Sequence, residues 1–135
     1  MKIYTSYFAN LKKLPKDIVP ISICGRAPDW YTGIQYKVLA PKFGFFQQWK
    51  LGHDTQYYKD HFYSEVLDKL NVGEVIKSLF NMSEGKDVAL TCYEKPTDFC
   101  HRHLVAEWLN DNGYDCEEFN EELYRESEKS DLEGE

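Results

Sequence analysis

A chain of 135 residues is the size of one domain and long enough to bury a hydrophobic core without the disulfides or metals that smaller chains need. Aromatic content of 16% favours a packed globule over a disordered chain, and no stretch approaches the roughly 18 apolar residues a membrane helix requires. The formal charge of -7 sits mostly at the end, where seven acids from Asn120 onward face only Arg125 and Lys129; the body is near -2 and lacks the basic excess expected of a sequence-independent duplex binder.

The opening residues, MKIYTSYFANLKKLPK, contain no continuous apolar core of the signal-peptide kind, so a cytoplasmic protein with reduced cysteines is expected. Cys24, Cys92, Cys100 and Cys116 are then thiols, metal ligands or core residues rather than a disulfide framework. Residues 2–8, KIYTSYF, and 18–24, IVPISIC, are short, apolar and rich in β-branched or aromatic side chains, which predicts two strands. GRAPDWYTG follows the second directly, with Gly25, Pro28, Asp29 and Gly33 as loop formers at a strand's carboxyl end, where α/β proteins place ligands.

Residues 36–40 read as a short extended piece, and Pro41 then opens a helix through PKFGFFQQWKL. Asp54 caps a further helix on which Tyr58, Phe62, Val66 and Leu70 recur every four residues. Asn71 and Glu74 form a capping-box pattern ahead of an apolar stripe of Val75, Ile76, Leu79 and Phe80. Residues 88–93 predict a buried strand, 96–98 a turn, 99–110 a helix ending near Gly113, and GYDCEEF a last short strand. The alternation predicts a three-layer, Rossmann-like α/β domain over residues 1–119, with a small parallel or mostly parallel sheet flanked by helices. Residues 120–135 are expected to be an acidic, solvated, flexible extension.

Three blocks, ISICGRAPDWYTG, VLAPKFGFFQQWKLGHDTQYYKDHFYSEVLDKL and LTCYEKPTDFCHRHLVAEWL, resemble the family of small bacterial and phage proteins catalogued as domain of unknown function 488. The likeness spans residues 4–119, and its most specific part is the Cys-x-Glu with the Cys-His-Arg of the third block. The resemblance implies a compact three-layer α/β fold with marked residues at strand ends, and points to Cys92, Glu94, Cys100, His101 and Arg102. The aromatic segment 43–49 departs from the more polar and aliphatic helix expected there.

On a helix from Phe99, residues Cys100, His101 and Arg102 fall in the first turn, where unpaired amides and the helix dipole favour anions. Arg102 adds a planar fork for a phosphate, and the same field lowers the Cys100 thiol towards thiolate. The competing reading makes Arg102 a structural clamp on Glu94 or Asp98. Cys92 and Glu94 share one strand face and can serve as nucleophile and acid or base, whereas a buried Cys92 is equally a small core residue and Glu94 a partner for helix amides. Metal binding is disfavoured, because Cys-x7-Cys-His-x-His matches no common zinc spacing and adjacent helical residues point about 100° apart. His53, His61 and His103 read as surface or packing residues.

In a parallel sheet, Ser22, Arg26 and Trp30 gather at the same edge as Cys92 and Arg102, so two arginines suit a phosphate while Trp30, Tyr31 or the aromatics of 43–58 can stack on a base or simply pack. Neither a Gly-rich nucleotide fingerprint nor a Cys-x5-Arg phosphatase loop is present, and no cofactor is expected. Three functions follow: a binding module for a phosphate-containing small molecule or nucleotide anchored by Arg26 and Arg102; a cysteine- or carboxylate-dependent hydrolase or transferase on a phosphate or nucleoside-type substrate, using Glu94, Cys100 and His101 with Cys92; and a non-catalytic protein or nucleic-acid interaction module.

Overall fold

The computed structural model describes residues 1–133. Strands β1 (Ile3–Tyr7), β2 (Ile18–Ser22), β3 (Ile34–Gln35), β4 (Asp87–Cys92) and β5 (Cys116–Glu118) form one parallel sheet in the order β3-β2-β4-β1-β5. Five α-helices accompany them among the described residues: α1 (Phe43–Gly52), α2 (Thr55–Glu65), α3 (Val72–Ser83), α4 (His101–Asp111) and α5 (Glu121–Glu133). The expected α/β architecture is therefore the observed one, and no described helix is long and apolar enough to cross a membrane.

Period-2 alternation assigns the two faces of the sheet. Ile3, Ile21, Val88, Leu90 and Cys92 join the main core, packed with Phe62, Leu79, Val105 and Leu109 from the helices. Tyr4, Ile18 and Ala89 point the other way into a smaller cluster closed by Phe119 and flanked by Leu14 and Tyr124. Connections that move along the sheet from β3 to β4 and from β4 to β5 carry α1 to α4, and the reverse move from β1 to β2 carries only a 3-10 turn, Phe8–Lys13, before the second strand. Right-handed crossovers place oppositely travelling connections on opposite faces, which accounts for the uneven layers.

Several boundaries differ from expectation for local reasons. The run at 36–40 is a 3-10 turn, Lys37–Leu39, and the edge strand β3 lies just before it. Helix α2 stops at Glu65 because Val66 leaves helical geometry (φ -119°, ψ -71°), so Leu67 and Leu70 lie on or after a separate 3-10 turn instead of extending the stripe. Asp54 and Asn71 cap α2 and α3 as expected, accepting from the amides of Tyr57 and Glu74 at 3.1 and 3.0 Å. The acidic extension after Asn120 takes up helix α5, with Arg125 paired to Glu121 at 2.6 Å and the Tyr124 ring 5.7 Å from Phe119.

The strand order places a switch point between β2 and β4, since the chain leaves β2 towards β3 and leaves β4 towards β5 on the opposite side. Loops that part in this way open a crevice at the carboxyl ends of the strands. Cys24 follows β2 and Cys92 ends β4, so both border that crevice.

Candidate active site

A cavity of about 730 Å³ occupies the crevice, with Cys24, Arg26, Tyr93, Glu94 and His101 on the sheet side and Phe43, Phe46, Gln47 and Lys50 of α1 on the other. Tyr93 ties the two strand-end loops together by donating its hydroxyl to the Arg26 carbonyl at 2.6 Å. The α1 wall is held from behind: Phe45 packs edge-on to Tyr58 (5.3 Å), and Phe99 meets both Tyr58 (5.0 Å) and Trp49 (5.6 Å). This leaves Phe43 free at the cavity side, 77% exposed, with Lys50 lying 4.6 Å over the Phe46 ring.

Helix α4 begins at His101, not Phe99. Cys100 is its N-cap in extended conformation (φ -154°, ψ 142°), so its side chain does not follow helical spacing. That overturns the geometric argument for separating Cys100 from His101: the sulfurs of Cys92 and Cys100 and a ring nitrogen of His101 lie within 4.8 Å of one another. All three residues are buried.

This donor set is of metal-ligand type, but the imidazole is not aimed as a ligand. Its Nε2 donates to the Ile23 carbonyl at 2.7 Å, and Cys92 Sγ stands 3.6 Å from Nε2 and 3.7 Å from Nδ1. A sulfur equally distant from both nitrogens lies beside the ring, off either lone-pair direction. With Nε2 donating to Ile23, the imidazole is oriented by a third group beside the two sulfurs.

Burial pushes the Cys92 thiol well above its ordinary range, and the Cys100 and Cys24 sulfurs beside it push the same way. Cys92 therefore stays protonated and serves its neighbours as a donor. Its hydrogen bond lowers Cys24 against the opposing effect of burial, with the His101 charge helping. Cys92, again against burial and joined by His101, also lowers Cys100, to about 3. Burial works most strongly against a charged His101, yet the Cys100 and Cys24 sulfurs and the Ile23 carbonyl together outweigh it and the imidazole is raised. Cys100 and His101 at the start of α4 thus each favour the charged form of the other, thiolate and imidazolium. Glu94, at the cavity rim, is raised first by burial and then by the Cys100 charge.

Arg102 is fully buried and its fork is already filled. Nε and Nη2 donate to the two carboxylate oxygens of Glu118 at 3.0 and 3.1 Å, and Nη1 donates to the Glu94 carbonyl at 2.6 Å. Thr5 donates to the same carboxylate at 2.7 Å. The expected anion anchor is thus a structural clamp, and its carboxylate partner is Glu118 rather than Glu94 or Asp98; a dry guanidinium has to be neutralised close by.

The other expected residues separate. Arg26 lines the cavity, with a side chain 90% exposed and 3.9 Å from Asp29. Ser22 is fully buried, and its hydroxyl accepts from the Cys24 amide at 3.4 Å instead of facing the cavity. Trp30 is 62% exposed and packs on Phe8, outside the cavity lining. Cys24, Gln47 and Lys50 belong to the lining without having been singled out as site residues; Cys24 carried a signal, since it stands at a predicted strand end as Cys92 does. Glu118 carried none beyond its alternation on the last strand.

Residues 7–113 match a family model described as the active DUF488-N3 subclade. No curated protein and no solved structure matches the chain.

Proposed function

The chain belongs to the DUF488-N3 family, and from that footing we propose that the cavity between β2 and β4 is the active site of a cysteine-dependent hydrolase or transferase acting on a phosphate or nucleoside-type molecule. The observation that carries the reading is the imidazole of His101, oriented by the Ile23 carbonyl beside a group of thiols at the floor of a switch-point cavity. A thiol held towards thiolate is a nucleophile, and a carboxyl group whose proton is held more tightly by burial beside it is suited to donate that proton. Glu94 occupies the second position.

The cavity also suits the proposed ligand class. Arg26 and Lys50 are cations at its rim, and the exposed Phe43 offers a ring face on which a base can stack. With Arg102 committed to Glu118, these two cations take over the anchoring role.

Two measurements test the reading. The pH profile of alkylation by iodoacetamide is expected to show a thiol reacting well below the range of an ordinary cysteine; if every cysteine titrates as a free or buried thiol, the reading fails. A panel of nucleotides and nucleoside phosphates is expected to raise Tm, with Arg26→Ala and Lys50→Ala each weakening the shift. No shift with any member would remove the proposed ligand class while leaving the thiol chemistry to be judged by alkylation.

A further inference from the structure

We infer that Cys24 is the thiol that meets the substrate and attacks it, and that Cys92 is a positioning residue joining Cys24 to the Cys100–His101 pair. This rests on reading the cavity as a thiol-dependent site, and it decides which sulfur reacts.

Placement at the cavity separates the three sulfurs. Cys24, buried at 6% exposure, is the cysteine among the cavity's lining residues, whereas Cys92 (0%) and Cys100 (3%) are not part of the lining. The backbone beside Cys24 also leaves room for an approaching ligand, since no atom lies within 4 Å of the position a Cβ would take on Gly25. Cys24 is held from two sides: its amide donates to Ser22 Oγ at 3.4 Å, and its thiol donates to the Thr91 carbonyl at 3.8 Å. Cys92 and the His101 charge lower the Cys24 thiol, while Cys100 and Glu94, when ionised, raise it, so a protonated Glu94 favours the Cys24 thiolate.

The step balances without any further reagent beyond substrate and water. Cys24 first releases the proton of its thiol to solvent; the thiolate then forms a bond to the phosphorus or glycosidic carbon of the substrate, and the bond to the leaving group breaks with its electron pair. The leaving oxygen or nitrogen takes the proton of the Glu94 carboxyl group. Water then attacks the same centre, gives its proton back to the Glu94 carboxylate, and the bond to sulfur breaks to regenerate the thiolate. His101 keeps its charge throughout, so the field that favours thiolate in the group is present at both steps.

Alkylation at pH 6 with limiting iodoacetamide, followed by peptide mass mapping of the native full chain, reads out the reacting sulfur. Cys24 is expected to carry the first label, at least about tenfold faster than in the urea-unfolded chain, where an ordinary thiol is under ~1% thiolate at that pH; Cys24→Ala is expected to lose the fast phase. A first label on Cys100, or a fast phase surviving in Cys24→Ala, overturns the assignment while the thiol-dependent reading stands. Absence of any fast label sinks both. For Cys92, the alanine variant is expected to move the Cys24 alkylation midpoint to higher pH, and Cys92→Ser, which keeps a donor, to restore part of the change. Equal midpoints in all three proteins overturn the positioning role.

Discussion

Arg102 and Glu118 meet side-on in a two-bond pair, 3.0 and 3.1 Å, that joins the first turn of α4 to the edge strand β5 across a fully buried guanidinium. The third donor nitrogen of the same guanidinium holds the Glu94 carbonyl, so one side chain fixes the register of β5, the start of α4 and the loop carrying Glu94. Removing Glu118 leaves that charge without its carboxylate. Glu118→Ala is expected to cost about 3–5 kcal/mol in urea unfolding, and Glu118→Ala combined with Arg102→Met to cost less than Glu118→Ala alone, because the double change removes the stranded charge. A loss under ~1 kcal/mol would show that the pair is not carrying the junction.

Stability should depend on pH through the Cys100–His101 pair in a way that can be signed. In the folded chain Cys100 is lowered to about 3 and His101 is raised, against ordinary values of 9.0 for the thiol and 6.5 for the imidazole. Stability therefore rises with pH between about 3 and 6.5 as the lowered thiol gains its charge, and levels off above 6.5, where the raised imidazole begins to lose its share until pH passes its folded value. Denaturant unfolding of the wild type minus that of Cys100→Ser, measured from pH 5 to 10, is expected to trace this plateau. A difference curve with a single slope throughout would contradict the ion pair.

Neighbouring phenylalanines of α1 should part company. Phe45 is 3% exposed between Tyr58 and Phe62, so Phe45→Ala is expected to cost about 3–5 kcal/mol. Phe43 is 77% exposed on the cavity side, so Phe43→Ala should change stability by less than about 0.5 kcal/mol while weakening ligand-induced Tm shifts. Equal stability losses would mean that Phe43 is core, not cavity wall.

Two glycines test the backbone at element ends. Gly85 (φ +80°) closes α3, its amide donating to the Phe80 carbonyl at 2.9 Å, and an added Cβ would sit 3.1 Å from the Phe80 ring; Gly113 (φ +86°) follows α4 with open space. Gly113→Ala is expected to cost about 1 kcal/mol from the left-handed conformation alone, and Gly85→Ala more because the ring must also give way. Thermal unfolding of the two variants orders them directly.

The sequence by itself determined the alternation of strands and helices, the caps Asp54 and Asn71, and the gathering of Cys92, Glu94, Cys100 and His101 near one strand end. These are local matters, set by side-chain periodicity, turn residues and hydrogen bonds between near neighbours. The extended Cys100 backbone was not legible, because helical spacing applies only within a helix and this residue stands one position outside it. Nor was the partner of Arg102: its helix brings it to Glu118, a strand residue 16 positions away, and only the packing of α4 on β5 selects that carboxylate. Tertiary structure likewise decided that Cys24, 68 positions before Cys92, shares its crevice, since β2 and β4 become neighbours only when the sheet takes its order. A sequence presents the donors and charges available to a site, whereas the fold chooses which of them neutralise one another and which remain facing the cavity.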